Sequence, residues 1–223
     1  MIENSTNSAA NPTSDASYVF NVLILDESGS MGSIASAAKE VFEGYLHRLI
    51  QEQQDIPDLT QYINMWTFGK PYVNENIPLV KIHSWDKVFP EYSPSGNTPM
   101  FDAIGMSIHK LKESLRILDL QKEQYQVKVF IVSDGEENAS REYKASQIGA
   151  LIRGLIAEGW AFDYYGTDHD ITSMADTLNI ESNRRVMFQK TKAGMESARD
   201  QYMAEIMKEK MSFMESRRSD SSK

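Results

Sequence analysis

Residues 18–34 have the sequence YVFNVLILDESGSMGSI, in which a run of apolar residues ends abruptly at small and acidic ones. The continuous apolar stretch at 22–25 predicts a strand covered on both faces, because a half-exposed strand would alternate apolar with polar residues. Apolar residues then recur at helical spacing over residues 34–52, namely Ile34, Ala38, Val41, Tyr45 and Leu49. A strand followed by a helix predicts the first βα unit of an α/β fold.

Strands and helices continue to alternate along the rest of the chain. We predict further strands at residues 60–68, 78–83, 126–133, 160–165 and 185–189, and further helices at 100–118, 143–158, 170–178 and 191–215. The short turn before the strand at 78–83 predicts that it pairs with 60–68 as an antiparallel hairpin. The alternation predicts a mainly parallel sheet with helices on both faces, to which the hairpin adds one antiparallel strand.

Composition disfavours several classes of function. The 223 residues include 23 Lys and Arg against 32 Asp and Glu, and the net charge of −9 disfavours binding to a phosphate backbone. The chain has no cysteine, so disulfides and thiolate metal sites are excluded. No apolar stretch reaches the roughly 20 residues that span a bilayer, and the N-terminus lacks the basic start and apolar core of a signal peptide. We therefore expect a cytoplasmic protein that binds no nucleic acid and has no membrane span.

Three polar segments lie where predicted strands end or a predicted helix begins: residues 26–30 (DESGS), 96–99 (GNTP) and 133–135 (SDG). In a parallel sheet, ligands bind outside the carboxyl ends of the strands, at the point where the strand order reverses. The segments offer two carboxylates and three hydroxyls as candidate ligands, with no His or Cys among them. Hard oxygen ligands of this kind suit Mg²⁺, Mn²⁺ or Ca²⁺ rather than Zn²⁺.

The spacing within the first segment favours a single binding point. Asp26, Ser28 and Ser30 alternate around a turn in which Gly29 and Gly32 permit tight backbone geometry, so all three oxygens can be directed at one place. For this segment alone an alternative stays open, in which a serine caps the following helix and Asp26 caps a turn. The three segments together favour a cation site formed by Asp26, Ser28, Ser30, Thr98 and Asp134.

The set DESGS, GNTP and SDG resembles the metal-ion-dependent adhesion site of von Willebrand factor A (VWA) domains, D-x-S-x-S … T … D. The stretches WTFG at 66–69 and TPMFDAI at 98–104 are also similar to this family. The resemblance implies a Rossmann-like, doubly wound, six-stranded sheet with one antiparallel edge strand. It also implies one divalent cation per chain, Mg²⁺ or else Mn²⁺ or Ca²⁺, held by Ser28, Ser30 and Thr98, with Asp26 and Asp134 bound directly or through water.

The resemblance further implies a function and a division of the chain. In the family one coordination position stays open for an Asp or Glu of a partner protein, which implies a metal-dependent protein–protein interaction module. Similar intracellular domains act as adaptors or assembly factors beside ATPases, kinases or chelatases. We assign the VWA-like domain to residues 18–190, a disordered tail to 1–17, a Met-rich helix that packs on the domain or extends it to 191–215, and a second disordered tail to 216–223.

Several residues outside the candidate set have plainer expected roles. Asp102 is expected to be a first-turn helix charge favoured by the helix macrodipole, and Glu136 and Glu137 to be solvated loop charges. Asp170 is expected to cap the helix that follows it, within a polar Asp168-His169-Asp170 group. The methionines of the C-terminal helix are expected to form a stripe that faces the core, namely Met195, Met203, Met207, Met211 and Met214.

Two other functions compete with the binding module. A Mg²⁺-dependent phosphatase of the haloacid-dehalogenase type also has an Asp after its first strand, but it needs D-x-D, and here the third position is Ser28. A hydroxyl cannot shuttle protons near neutral pH, and the chain has no GxSxG, GxxxxGK[ST] or GxGxxG motif. We therefore expect no enzymatic activity. A structural domain with a vestigial metal site stays open as an alternative, which an absence of metal binding would favour.

Overall fold

A computed structural model describes residues 17–56, 58–86, 88–167, 171–189, 191–197, 200, 204, 208, 211–213 and 215. These residues contain a six-stranded sheet made of β1 (Ser17–Glu27), β2 (Leu59–Gly69), β3 (Val73–Lys81), β4 (Tyr125–Val132), β5 (Ala161–Gly166) and β6 (Arg185–Met187). The strand order is β3-β2-β1-β4-β5-β6, with β3 antiparallel to β2 and every other neighbouring pair parallel. The predicted mainly parallel sheet with one antiparallel edge strand is confirmed.

Helices cover both faces of the sheet: α1 (Ala35–Asp55), α2 (Met100–Leu118), α3 (Ala145–Ala157) and α4 (Ile171–Thr177). On one face, Phe42 and Tyr45 of α1 pack against Phe130 of β4. On the other face, Ile108 of α2 and Ile152 of α3 share one core cluster with residues of β1 and β4. Among the described residues, no helix is both long enough and apolar enough to cross a membrane.

The strand β1 joins the two layers of the core. Every residue of β1 is buried. Its side chains alternate between two core clusters, with Val22 and Ile24 facing α2 and α3, and Leu23 and Leu25 facing α1. Burial of an apolar side chain of this size contributes about 1.5–3 kcal/mol to stability. Both helical layers therefore depend on the continuous apolar run that the sequence shows before Asp26.

The connection of the strands around β1 positions the candidate site. From β1 the chain passes through α1 to β2 on one side, and it adds β4 on the other side only after α2. The strand order therefore reverses between β1 and β4, which opens a crevice outside their carboxyl ends. Three connecting segments are hydrogen-bonded to one another there: residues 28–34, 93–99 and 133–143.

The antiparallel edge strand is longer than its prediction and begins earlier. β3 spans Val73–Lys81 rather than the predicted 78–83. Residues 82–84 form a short 3₁₀ helix instead of the end of the strand. Asn74 pairs with Thr67 of β2, and Glu75 pairs with Trp66. These polar residues are typical of a turn in sequence. The edge strand accommodates Glu75 because its carboxylate accepts hydrogen bonds from Asn64 and Lys110.

The predictions for the two ends of the chain are tested only in part. Ser17, assigned to the N-terminal tail, is the first residue of β1. Residues 192–197 are helical and Met195 is buried in the core cluster beneath α1, whereas Met211 is 42% exposed and does not face the core. The other predicted stripe and capping residues lie outside the described residues, namely Met203, Met207, Met214, Asp168, His169 and Asp170. The division into tails, domain and helix stays a prediction.

Candidate metal centre

The end of β1 places the first three candidate residues. Asp26 is fully buried, and its Oδ1 accepts a 2.7 Å hydrogen bond from the Ser28 backbone N–H while its Oδ2 accepts one from the Ser133 hydroxyl. Ser28 precedes a 3₁₀ helix at Gly29–Ile34, but its side chain makes no capping hydrogen bond. Ser28 therefore does not cap that helix, whereas Asp26 does cap the turn at Ser28, as the alternative expected of it.

Hydroxyl and carboxylate oxygens of the candidate set are in direct contact. Ser28 Oγ lies 2.9 Å from Ser30 Oγ, and the Ser30 hydroxyl donates a 2.6 Å hydrogen bond to Asp134 Oδ1. Asp134 follows β4, whereas both serines follow β1, so the contact depends on the parallel pairing of these two strands. The structure therefore brings these three side chains together at one edge of the sheet.

Gly135 shows where Thr98 lies relative to this group. A Cβ atom built on Gly135 would lie 3.1 Å from Ser30 Oγ, 3.6 Å from Thr98 Oγ1 and 4.0 Å from Asp26 Oδ2. Three oxygens from three separate segments of the chain thus converge on one small space, which is open because residue 135 has no side chain. All five candidate residues therefore lie around the carboxyl ends of β1 and β4.

The donor set fits a hard divalent cation in both chemistry and spacing. Neighbouring ligands of an octahedral Mg²⁺ at about 2.1 Å lie about 3 Å apart. The observed oxygen separations of 2.9 Å between Ser28 and Ser30 and 2.6 Å between Ser30 and Asp134 are close to that value. Among the described residues, no group of three or more His, Cys, Asp or Glu side chains is placed to hold a metal. The fit therefore rests on two carboxylates together with hydroxyls, and the ion itself is a proposal.

The carboxylates of the site are buried close to one another. Burial raises the pKa of Asp26 to about 6, although hydrogen bonds from two serines lower it, and the charge of Asp134 adds to the rise. Tyr92 donates a 2.6 Å hydrogen bond to the Asp26 carbonyl oxygen, and its pKa is raised by burial and by the charges of Asp26, Glu27 and Asp134. A cation among these groups would offset both the burial of negative charge and the repulsion between carboxylates.

Glu27 and its contacts fasten the loop before α2 to the end of β1, and sequence reasoning missed them. Glu27 is buried, and its carboxylate accepts a 2.7 Å hydrogen bond from the Ser93 backbone N–H. Its carbonyl oxygen accepts a 2.8 Å bond from the Ser95 N–H. Glu27 occupies an x position of the D-x-S-x-S pattern, and no local signal in the sequence marks it as buried. These bonds fix the loop that carries Thr98.

A second loop, after β4, is fastened to the start of α2. The Thr98 N–H donates a 2.9 Å hydrogen bond to Asn138 Oδ1, and the Asn138 N–H donates a 3.2 Å bond back to the Thr98 carbonyl oxygen. Glu137 accepts bonds of 2.9 Å from the Phe101 N–H and 2.7 Å from the Ser140 N–H. The expectation of a solvated charge is wrong for Glu137, because the first N–H groups of a helix need acceptors. It holds for Glu136, which is exposed.

Asp102 has a larger part in this loop than its expected role as a helix-dipole charge. It is fully buried, and it accepts hydrogen bonds from the Tyr72 hydroxyl and from the backbone N–H groups of Arg141 at 2.7 Å and Tyr143 at 2.8 Å. Burial by itself would raise the pKa of Asp102, but these hydrogen bonds outweigh it and hold the pKa below its ordinary value. An ionised Asp102 therefore organises residues 139–143 against α2.

Comparisons with known proteins give a fold and no closer relative. No family model matches the chain, and no curated protein matches it. Among solved structures, proximal thread matrix protein 1 from the mussel byssus is 14% identical, with a TM-score of 0.55 over 84% of this chain and 45% of its own. This chain thus spans less than half of that protein.

Two further matches are nearly the length of the described domain. The SpRpn10 VWA domain is 13% identical, with a TM-score of 0.54 over 82% of this chain and 94% of its own. The vWF domain of the type V pili tip protein Mfa5 from Porphyromonas gingivalis is 11% identical, with a TM-score of 0.56 over 86% and 95%. Identities this low establish architecture alone, and on that ground the chain has a VWA-like fold.

Proposed function

We propose that this chain is a non-catalytic protein-interaction module that binds an Asp or Glu of a partner protein through one divalent cation. The cation would be held by the five candidate residues, namely Asp26, Ser28, Ser30, Thr98 and Asp134. The observation that carries the proposal is the convergence of oxygens from three segments on the space beside Gly135. The VWA-like fold, which the matched SpRpn10 and Mfa5 domains share, supports the general role of a protein-interaction module.

The chemistry of the ligands explains why such an ion would bind a further carboxylate. Two carboxylates balance the charge of a divalent cation, and hydroxyl ligands add no negative charge. The bound ion, Mg²⁺ or else Mn²⁺ or Ca²⁺, would therefore stay a strong Lewis acid toward an additional anion. An oxygen ligand from an acidic side chain suits the same hard ion, which makes a partner's carboxylate the natural occupant of an open position.

The arrangement of the hydroxyls supports a role without catalysis. The Ser30 hydroxyl donates to Asp134, Ser28 contacts Ser30, and Ser133 donates to Asp26. A nucleophilic serine needs a base that removes its proton, and His is the usual one. The nearest bases to these serines are carboxylates of the proposed ligand set, which an ion would occupy. The matched structures are described as a matrix protein, a pilus tip protein domain and a VWA domain, not as enzymes.

The cellular setting of this module is proposed from the family resemblance alone. We extend the proposal to an intracellular adaptor or assembly factor in the cytoplasm, which acts beside an ATPase or a kinase. That class of partner is implied by similar intracellular domains rather than by contacts of this chain.

The proposal is tested with Mn²⁺ as the ion and acetate as the smallest carboxylate ligand. Water-proton relaxation reports Mn²⁺ bound to the protein with water in its open position, and acetate should lower the enhancement by displacing that water. Thr98→Val should abolish the enhancement, whereas Thr60→Val, at the opposite end of the sheet, should leave it unchanged. An enhancement that acetate does not alter, or that persists in Thr98→Val, would overturn the proposal.

A further inference from the structure

A groove between α2 and α3 lies on the side of the domain, outside the candidate metal centre. It has a volume of about 600 Å³, and its lining includes Gly105, Lys112, Glu113, Arg116, Tyr143 and Leu151. Arg116 is 16 residues into α2, which at about 1.5 Å per residue puts it about 24 Å along the helix from its start. We call this feature the α2–α3 groove.

The floor of the α2–α3 groove is apolar and held in place. The Tyr143 ring packs so closely on α2 that a Cβ atom built on Gly105 would lie 2.5 Å from it. The Tyr143 backbone N–H donates a 2.8 Å hydrogen bond to buried Asp102, which anchors the backbone that carries the ring. Tyr143 and Leu151 are half-buried and pack against the main core cluster. The groove therefore presents a preformed apolar surface to solvent.

The rim of the groove is basic on a chain whose net charge is −9. Lys112 and Arg116 are exposed, and neither forms an ion pair within the part of the chain that the structure describes. Glu113 is the one carboxylate among the described residues of the lining, against the two positive charges of Lys112 and Arg116. A positive rim attracts acidic ligands, whereas the rest of an acidic protein repels them.

We propose that the α2–α3 groove docks an acidic amphipathic segment of a partner protein. An apolar side chain of the segment would enter between Tyr143 and Leu151, and Asp or Glu side chains next to it would face Lys112 and Arg116. Amphipathic segments bind apolar grooves in this way, with flanking charges that set orientation and association rate. This contact needs no metal ion, so it adds a second interaction surface to the proposed function.

The test uses a random dodecapeptide display library, because the partner is unidentified. The full chain is panned in EDTA, with an excess of the soluble variant Lys112→Glu/Arg116→Glu as competitor. Recovered peptides are then labelled with fluorescein, and their affinities are measured by fluorescence anisotropy. We expect peptides with Asp or Glu beside Leu or Phe, at least tenfold weaker binding to the double variant, and weaker binding at higher salt. Lys122→Glu, an exposed charge reversal elsewhere, should bind the peptides like the unaltered protein.

A charge exchange makes the test specific for this groove. A recovered peptide whose acidic residues are replaced by Lys should bind Lys112→Glu/Arg116→Glu better than it binds the unaltered protein. Serine in place of the apolar peptide residues should abolish binding. The proposal is overturned if no peptide is recovered, or if the peptides bind the double variant as tightly as the unaltered protein. It is also overturned if binding persists after the serine replacement. Self-association that the double variant abolishes would also overturn it, in favour of a second copy of the chain.

Discussion

The Ser30 hydroxyl donates a 2.6 Å hydrogen bond to Asp134 Oδ1, although 104 residues separate the two along the chain. The contact exists because β1 and β4 are parallel neighbours whose carboxyl ends lie side by side. Both atoms also belong to the proposed ligand set, so a cation would bind beside this contact. The central claim is therefore that these side chains hold an ion rather than only each other.

Gly135→Ala should weaken metal binding without unfolding the protein. The new methyl group would lie 3.1 Å from Ser30 Oγ and 3.6 Å from Thr98 Oγ1, so it would fill the space on which the ligands converge. We expect at least a tenfold loss of Mg²⁺ affinity by calorimetry and little change in circular dichroism. Gly32→Ala is the matched control, because a Cβ atom there meets nothing within 4 Å. Equal affinities for the two variants would contradict the proposed position of the ion.

Metal affinity should fall as the pH falls through about 6. Burial raises the pKa of Asp26 to about 6 in the metal-free protein, so below that pH a proton occupies the carboxylate that an ion needs. The apparent Mn²⁺ affinity should then drop by up to about tenfold for each pH unit. Titrations followed by electron paramagnetic resonance at pH values from 5 to 8 check this. An affinity that stays constant across that range would exclude Asp26 as a ligand.

Asp26→Asn should stabilise the metal-free protein at neutral pH. The folded protein holds the Asp26 proton more tightly than the unfolded chain does, because burial raises the pKa from 3.8 to about 6. Protonated Asp26 therefore stabilises the folded protein fully below pH 3.8, the pKa in the unfolded chain. This contribution, about 2–3 kcal/mol, is lost as the pH rises through about 6. In EDTA, the free energy of unfolding measured with urea should increase for the variant relative to the unaltered protein as the pH rises from 4 to 7. A difference that does not change with pH would show that Asp26 titrates normally.

Asp102→Asn should destabilise the protein even though Asp102 is not a proposed ligand. An amide cannot accept all the hydrogen bonds that the carboxylate accepts from Tyr72, Arg141 and Tyr143, so buried donors lose their acceptor. We expect a loss of about 2–4 kcal/mol in the free energy of unfolding. Asp119→Asn, just after α2, is the matched control and should change stability by less than about 0.5 kcal/mol. Similar losses in both variants would contradict the role of Asp102.

Much of the fold could be predicted because the spacing at which apolar residues recur in the sequence indicates which side chains are buried. The α2 prediction at 100–118 matches Met100–Leu118, since its apolar stripe faces the core continuously. The start of β3 at Val73 could not be predicted in this way, because polar residues on a half-exposed edge strand carry no alternation signal. Pairing with β2, rather than local preference, makes Asn74 and Glu75 part of a strand.

In the candidate site, only the residues that match a recognisable spacing pattern could be predicted from the sequence. Asp26, Ser28 and Ser30 lie close together in the chain. The set extends to Thr98, just before a predicted helix, and to Asp134, just after a predicted strand. The supporting contacts arise from tertiary structure, which spacing does not encode. Glu27 is buried because a loop that lies 66 residues further along the chain donates to it, and Asn138 pairs with a backbone 40 residues away.

The most direct test of the central claim is a calorimetric titration of Mg²⁺, Mn²⁺ and Ca²⁺ into chelator-stripped protein. The unaltered chain and the double variant Ser28→Ala/Ser30→Ala are compared, with circular dichroism to confirm that the variant is folded. The account predicts about one ion per chain for the unaltered protein and no binding by the variant. No binding of any of the three ions by the unaltered protein, or equal binding by the folded variant, would contradict it.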